Sequence, residues 1–153
     1  MISKLCIGCV KFGLDYGITD FKKNKIKKSE IIKILSSAKK FKINILDTAS
    51  NYGTSEELLG EMIEKKKLKF NIITKLPEKK DPNISLQDWY SQSINTSLNK
   101  LKAKKIHGIL IHDIKQLLNE SGEKLYADLY QSKKIGKIKK IGLSIYDFKN
   151  LDT

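Results

Sequence analysis

The sequence predicts an α/β fold in which parallel strands joined by helices wind as a (β/α) barrel rather than as a nucleotide-binding open sheet. Three observations lead there. Short runs of Ile and Leu alternate with longer amphipathic segments along the whole chain, and strict β-α alternation implies a parallel sheet with right-handed crossovers. The longer segments carry apolar residues at the three- and four-residue spacing of a helix. The first strand leads into "KFGLDYGITDFKKNK", a long polar loop with widely spaced glycines. An open dinucleotide-binding sheet would have a GxGxxG turn there.

The elements follow in order. "KLCIGCV" (4–10) reads as the first strand, and the exposed loop Lys22–Lys28 follows. "SEIIKILSSAKKF" (29–41) sets Ile31, Ile34, Leu35 and Ala38 on one helix face, with Ser29 as its cap. "INILDT" (43–48) is the second strand. "TSEELLGEMIEKKK" (54–67) opens with Thr54 and Glu57 at capping-box spacing. "FNIITKL" (70–76) is the third strand, and "PEKKDPN" (77–83), with both prolines, is a surface connection. "SLQDWYSQSINTSLNKLK" (85–102) carries Tyr90, Ile94, Leu98 and Leu101 at helical spacing. "GILIHD" (108–113) is the fourth strand, "GEKLYADLYQSKKI" (122–135) a helix stopped by Gly136, and "KIGLSIY" (140–146) the fifth strand. No composition shift or repeat marks an internal boundary.

The 153 residues suffice for one domain with a core. No apolar run approaches the roughly 20 residues of a membrane helix, and the charged, glycine-bearing start does not resemble a signal peptide, so a cytoplasmic protein without membrane contact is expected. All basic residues are lysines, and the net charge is +13. Nucleic-acid readers favour arginine, gathered into a stripe. Here the lysines are spread over every helix and loop, which reads as a solvated coat. Cys6 and Cys9 form "CIGC" in a strand-like run, where residues three apart face opposite ways. Two free thiols are expected rather than a redox pair. With only His107 and His112 available, no metal site is expected.

Asp47, Lys75 and His112 fall at the C-terminal ends of strands two, three and four, the edge where α/β folds collect their chemistry. Each shares a strand face with an apolar neighbour: Ile45, Ile73 and Leu110 respectively. Singly, each has a structural explanation. Together, with Tyr52 on the loop after strand two, they have a joint use. A tyrosine with its ordinary pKa of about 10 is a poor proton donor near neutrality unless a cation stands beside it. Lys75 supplies the cation, Asp47 holds Lys75, and His112 positions a carbonyl oxygen. That constellation suits general-acid-assisted carbonyl reduction.

"ILDTASNYGTSEELLG", "ITKLP", "GILIHD" and "GKIKKIGLS" resemble, in order and spacing, the consecutive signatures of the aldo-keto reductases. The resemblance runs along essentially the whole chain. It implies a (β/α)8 TIM barrel and NADPH, with NADH as the less common choice. Tyr52 is then the proton donor, Lys75 its tuner, Asp47 the partner of Lys75 and His112 the group orienting the substrate. Asp47 and Ser144 are the implied cofactor contacts, Ser144 through the nicotinamide carboxamide. The substrate is implied to be a small aldehyde, ketone or sugar-derived carbonyl. Three positions depart from the family pattern: Ile145 stands where an Asn is common, Lys42 where a Gly is, and Cys9 where a small residue such as Thr is.

Against a complete barrel, about five of eight β/α units are expected here, so 1–153 reads as one partial, truncated barrel domain. Its unfinished edges suit a homo-oligomer. The alternative to a reductase is a catalytically inactive relative serving as a binding or assembly module. A basic nucleic-acid-binding domain is a distant third reading.

Overall fold

A computed structural model describes residues 2–17 and 25–145. Residues 22–24 of the first loop and Tyr146 of the expected fifth strand lie outside the described residues. The strands are β1 (Ile7–Gly8), β2 (Ile45–Asp47), β3 (Asn71–Leu76), β4 (Ile106–Ile111) and β5 (Ile138–Leu143). The helices are α1 (Val10–Gly13), α2 (Lys28–Lys40), α3 (Ser55–Lys65), α4 (Leu86–Lys100), α5 (Lys115–Leu118) and α6 (Gly122–Lys134). All strand pairs are parallel, in the order β1-β2-β3-β4-β5. A doubly wound sheet would reverse its order at a switch point. Here every strand lies beside its neighbour in sequence, as in the wall of an incomplete barrel.

Strand alternation separates two faces. Leu46, Ile72, Ile109 and Ile111 are buried in one apolar cluster with Ile31 and Leu35 of α2, Leu59 and Met62 of α3, Ile94 of α4, and Leu125 and Leu129 of α6. These helices stand side by side, α2 against α3, α3 against α4 and α4 against α6. The other face carries Ile45, Asp47, Ile73 and Leu110, only half-buried. The core therefore lies between sheet and helices, while no described residues cover the face that lines a barrel's interior. Among the described residues, β1 pairs only with β2, and β5 only with β4.

Several boundaries differ from expectation. The expected first strand is reduced to two residues because Val10–Gly13 turn into α1. β4 and β5 each begin two residues early, since Ile106 and Ile138 pair with each other at the bottom of the sheet. α5 was not anticipated. Thr54 precedes α3 without a side-chain capping bond; Ser55 anchors that helix instead, its hydroxyl donating to the Cys9 carbonyl at 2.9 Å. α2 starts one residue before Ser29, and the Glu30 carboxylate accepts the Lys27 N–H at 3.2 Å. Ser85 caps α4 by accepting the Asp88 N–H at 3.0 Å.

Four helices end alike. After α2, α3, α4 and α6, the residue in the left-handed region is Lys42 (φ 58°), Lys67 (φ 51°), Lys102 (φ 49°) and Gly136 (φ 79°). The following N–H of Ile43, Leu68, Ala103 and Lys137 reaches back to Ala38, Ile63, Leu98 and Ser132, at 2.8 to 3.0 Å. This pairing satisfies carbonyls that the helix end leaves without partners. Only Gly136 takes the conformation without strain; an L-residue there pays about 1–2 kcal/mol. Lys42, where the family resemblance suggests glycine, is one of the strained positions. Replacing Lys42 or Lys67 by Gly should raise stability by about 0.5 kcal/mol each, net of the unfolded-state entropy that glycine adds. Gly136→Ala should lower it by about 1 kcal/mol. Urea unfolding checks both, and a loss of stability in Lys42→Gly would contradict the assignment.

Candidate active site

The sheet register brings the expected residues to one rim. Asp47 ends β2 level with Ile73, and Lys75 stands two residues further along β3, level with Leu110. His112 follows β4 directly, again two residues beyond Leu110. The stagger is the shear of a barrel wall, so each side chain lies diagonally above its predecessor.

At the centre is the Lys75 ammonium. It donates to Asp47 Oδ1 at 2.8 Å, Asp47 Oδ2 at 2.9 Å and the Thr48 carbonyl at 3.0 Å. Three donors meet three acceptors, which is what an ammonium needs once it is removed from water. The Lys75 side chain is only 6% exposed, whereas that of Asp47 is 34% exposed. The lysine thus does not reach solvent, the common fate of a strand-terminal Lys, but is bent back over the sheet end.

Tyr52 packs onto this pair. The Lys75 Nζ lies 4.8 Å from the centroid of the Tyr52 ring, a cation–π distance. His112 meets the same ring edge-on, with centroids 6.2 Å apart. The loop carrying Tyr52 is seated by close backbone approaches. A Cβ on Gly13 of α1 would come within 1.9 Å of the Tyr52 carbonyl oxygen and 2.4 Å of the Ser55 nitrogen. Gly53, beside Tyr52, takes φ +56°. Glycine is needed at both positions, at Gly13 for proximity and at Gly53 for conformation.

Behind the rim, on the helix side, lies a buried polar network that the sequence reading did not identify. Ser55 donates to the Cys9 carbonyl, so the Thr48 hydroxyl is the donor in its 2.9 Å bond with Ser55 Oγ. The Thr74 hydroxyl donates to Glu56 Oε1 at 2.7 Å. One signal was available: Glu56 precedes Leu59 and Gly60 at helical spacing, which places it on the buried face of α3.

Asp47, Lys75 and Ser144 share an open depression of about 540 Å³ with Cys6, Gly8, Ile73 and Leu110. The Ser144 N–H donates to the Ile111 carbonyl at 2.9 Å, fixing it beside the end of β4. His112 faces a second recess of about 210 Å³, lined by Asn51, Glu78, Asp113 and Gln116. Cys6 is exposed, Cys9 is buried, and both are free thiols. Burial, then the neighbouring Cys6 and Asp47, pushes the Cys9 thiol up; partial loss of hydration, with Asp47 nearby, raises that of the exposed Cys6. Among the described residues no group of His, Cys, Asp or Glu is placed to hold a metal ion, and no helix is long and apolar enough to cross a membrane.

Residues 4–153 match the aldo/keto reductase family. Among solved structures, a Pseudomonas aeruginosa protein assigned as an aldo-keto reductase superposes with a TM-score of 0.77 at 30% identity, covering 94% of this chain and 56% of that one. An aldo-keto reductase from Bacillus halodurans in its holo form gives 0.70 at 18% identity, with 94% and 46% covered. An aldo/keto reductase from Klebsiella pneumoniae in complex with NADP and acetate gives 0.71 at 16%, with 99% and 48% covered. The last two share the fold. The chain thus spans about half the length of the solved structures it matches. A search of curated proteins found no match.

The pKa of His112 is lowered from its ordinary value of 6.5, first by burial and then by Lys75, against the opposing pull of Asp47 and Asp113. A depressed imidazole favours folding while neutral. Its contribution is fully present above the unfolded pKa of about 6.5 and is lost as the pH falls from there through the folded value. NMR titration should find His112 half-protonated below pH 6.5. Lys75→Met should move that midpoint up, since it removes a cation and leaves Asp47 unpaired. A midpoint that stays or falls in Lys75→Met would contradict the arrangement.

Proposed function

Because the chain belongs to the aldo/keto reductase family, we propose that it carries the catalytic rim of an NAD(P)H-dependent oxidoreductase that reduces a small aldehyde or ketone to the alcohol. The observation that carries this reading is the clamped Lys75 ammonium 4.8 Å from the Tyr52 ring, with His112 on the same ring's edge.

The residues fit a nicotinamide in the depression that Asp47, Lys75 and Ser144 line. Its floor of Ile73 and Leu110 is apolar, and nothing lies within 4 Å of where a Cβ on Gly8 would stand, which leaves room for a flat ring. The Ser144 hydroxyl suits the carboxamide. Ile145, standing where many relatives place Asn, offers no second polar contact. NADPH is the cofactor preferred, and NADH the alternative. Asp47, Lys75 and Ser144 would hold a reduced nicotinamide there, and it would supply the hydride that the reduction of a carbonyl needs.

Everything else is done by this chain. As charge grows on the carbonyl oxygen, the Tyr52 phenol gives it the proton, which completes the alcohol; solvent later returns a proton to Tyr52. The Lys75 charge opposes the negative charge left on the phenolate. Asp47 keeps that cation in place. Neutral His112 donates an N–H to the carbonyl oxygen and so orients it. The polar recess of Asn51, Glu78, Asp113 and Gln116 beside His112 suits a hydroxylated carbonyl compound, such as a sugar-derived one, better than an anionic one. Such a compound, rather than nucleic acid or a membrane, is the partner of this reading, in the cytoplasm, where free Cys6 and Cys9 stay reduced.

One observation favours a second reading. Among the described residues, the inner face of the sheet is uncovered and β1 and β5 are each paired on one side only, and such edges are able to pair with other chains. A non-catalytic assembly module, associating as a homo-oligomer through those edges, would use them directly.

Calorimetric titration with NADPH, followed by reduction of a small aldehyde read from nicotinamide absorbance, separates the two. The reductase reading predicts saturable binding that Tyr52→Phe leaves intact, with turnover reduced about 100-fold or more in that variant. Turnover retained by Tyr52→Phe removes Tyr52 from its role. A folded oligomer that binds no NADPH speaks for the assembly module.

A further inference from the structure

Glu56 is 1% exposed, although a carboxylate is among the groups most costly to take out of water. Its Oε1 accepts the Thr74 hydroxyl. Its Oε2 is buried with no hydrogen-bond partner among the described residues. An unpaired buried polar atom costs about 1–3 kcal/mol, so packing alone does not favour a Glu here.

What Glu56 holds is informative. Thr74 immediately precedes Lys75, and strand alternation turns the two side chains to opposite faces of the sheet. Thr74 is held on the helix side by Glu56. Lys75 is held on the open side by Asp47 and Thr48. The Lys75 carbonyl also accepts the Ser50 hydroxyl at 3.0 Å. Glu56 itself stands in the first turn of α3, close behind the loop that carries Tyr52. Its bond to Thr74 therefore ties the Tyr52 loop to the end of β3 from the side away from the depression.

We infer that Glu56 is a positioning residue: through the Thr74 hydroxyl it fixes the seat of Lys75 against Tyr52 and His112. Its purpose rests on the catalytic reading above, but its test does not. The chain has two histidines, both on or beside β4, and they report separately. Facing His112 are Lys75, Asp47 and Asp113, the Tyr52 ring and Glu78 across the recess. His107 lies near the other end of β4, beside Lys139 and Lys140.

The experiment is an NMR pH titration of both imidazoles in the wild type, Glu56→Ala, Thr74→Val and Glu56→Gln. If Lys75 loses its seat, the His112 midpoint rises by about 0.5 pH unit in Glu56→Ala and Thr74→Val, while His107 does not move. Loss of the Glu56 charge alone would push His112 the other way, so the sign separates displacement from simple electrostatics. Glu56→Gln keeps an oxygen for Thr74 to donate to, and it should show no such rise. Thr74→Val removes only the hydroxyl at nearly constant volume, and it carries the test if Glu56→Ala does not fold. An unmoved His112 in Thr74→Val, an equal shift of His107, or a Glu56→Gln protein that shows the same rise each overturns the inference. Because no cofactor or turnover enters the readout, it can succeed or fail whether or not the protein reduces a carbonyl.

Discussion

A lysine ammonium removed from water has to find a full set of acceptors, and the candidate site is built around that requirement. Lys75 meets it with both oxygens of Asp47 and the Thr48 carbonyl. Removing one partner of a buried ion pair costs about 3–5 kcal/mol, because the other charge is left uncompensated; the one-third exposure of Asp47 places this pair near the lower figure. Such a pair does more than hold two strands together. It forces Asp47 and Lys75 onto the same face and thereby specifies the alignment of β2 with β3. A one-residue slip would send either side chain into the apolar helix side.

From that pair the remaining chemistry follows by contact. A cation that cannot leave has a fixed field, and Tyr52 and His112 both lie within it. The polar network on the other side of the sheet, Thr48 with Ser55 and Thr74 with Glu56, braces the same strand ends. In the proposed reductase, a preorganised charge would stabilise a developing one without waiting for solvent to rearrange, which would offset the cost in stability of burying a lysine. The open barrel face makes a contrasting demand. Ile45, Ile73 and Leu110 remain half-buried there, apolar surface that no layer of the described residues covers.

Much of this was legible in the sequence because periodicity reports which face is apolar. The alternation of elements, the helix faces through Ile31 and Leu35 or Ile94 and Leu101, and the gathering of Asp47, Lys75 and His112 at strand ends all rest on it. Boundaries were less legible, since they depend on pairing. β1 is two residues long because only Ile7 and Gly8 find partners in β2, and Val10, the last residue of the expected strand, opens α1 instead, where Phe12 is buried. α3 does start after Thr54, but the capping bond that the Thr54–Glu57 spacing suggests does not form, because tertiary contacts engage Ser55 and Glu56 instead. Nor could spacing show that Gly13 presses against the Tyr52 carbonyl, a contact across about forty residues of chain whose only local trace is a glycine in a loop.

A double-mutant cycle at Asp47 and Lys75, read by urea unfolding, tests the central claim most directly. Wild type, Asp47→Ala, Lys75→Met and the double variant supply the four stabilities. If the ion pair organises the rim, each single substitution strands a charge, and the pair shows a coupling of about 2 kcal/mol or more. Effects that add to within about 0.5 kcal/mol would mean that the two side chains are merely neighbours, and that something else holds the rim together.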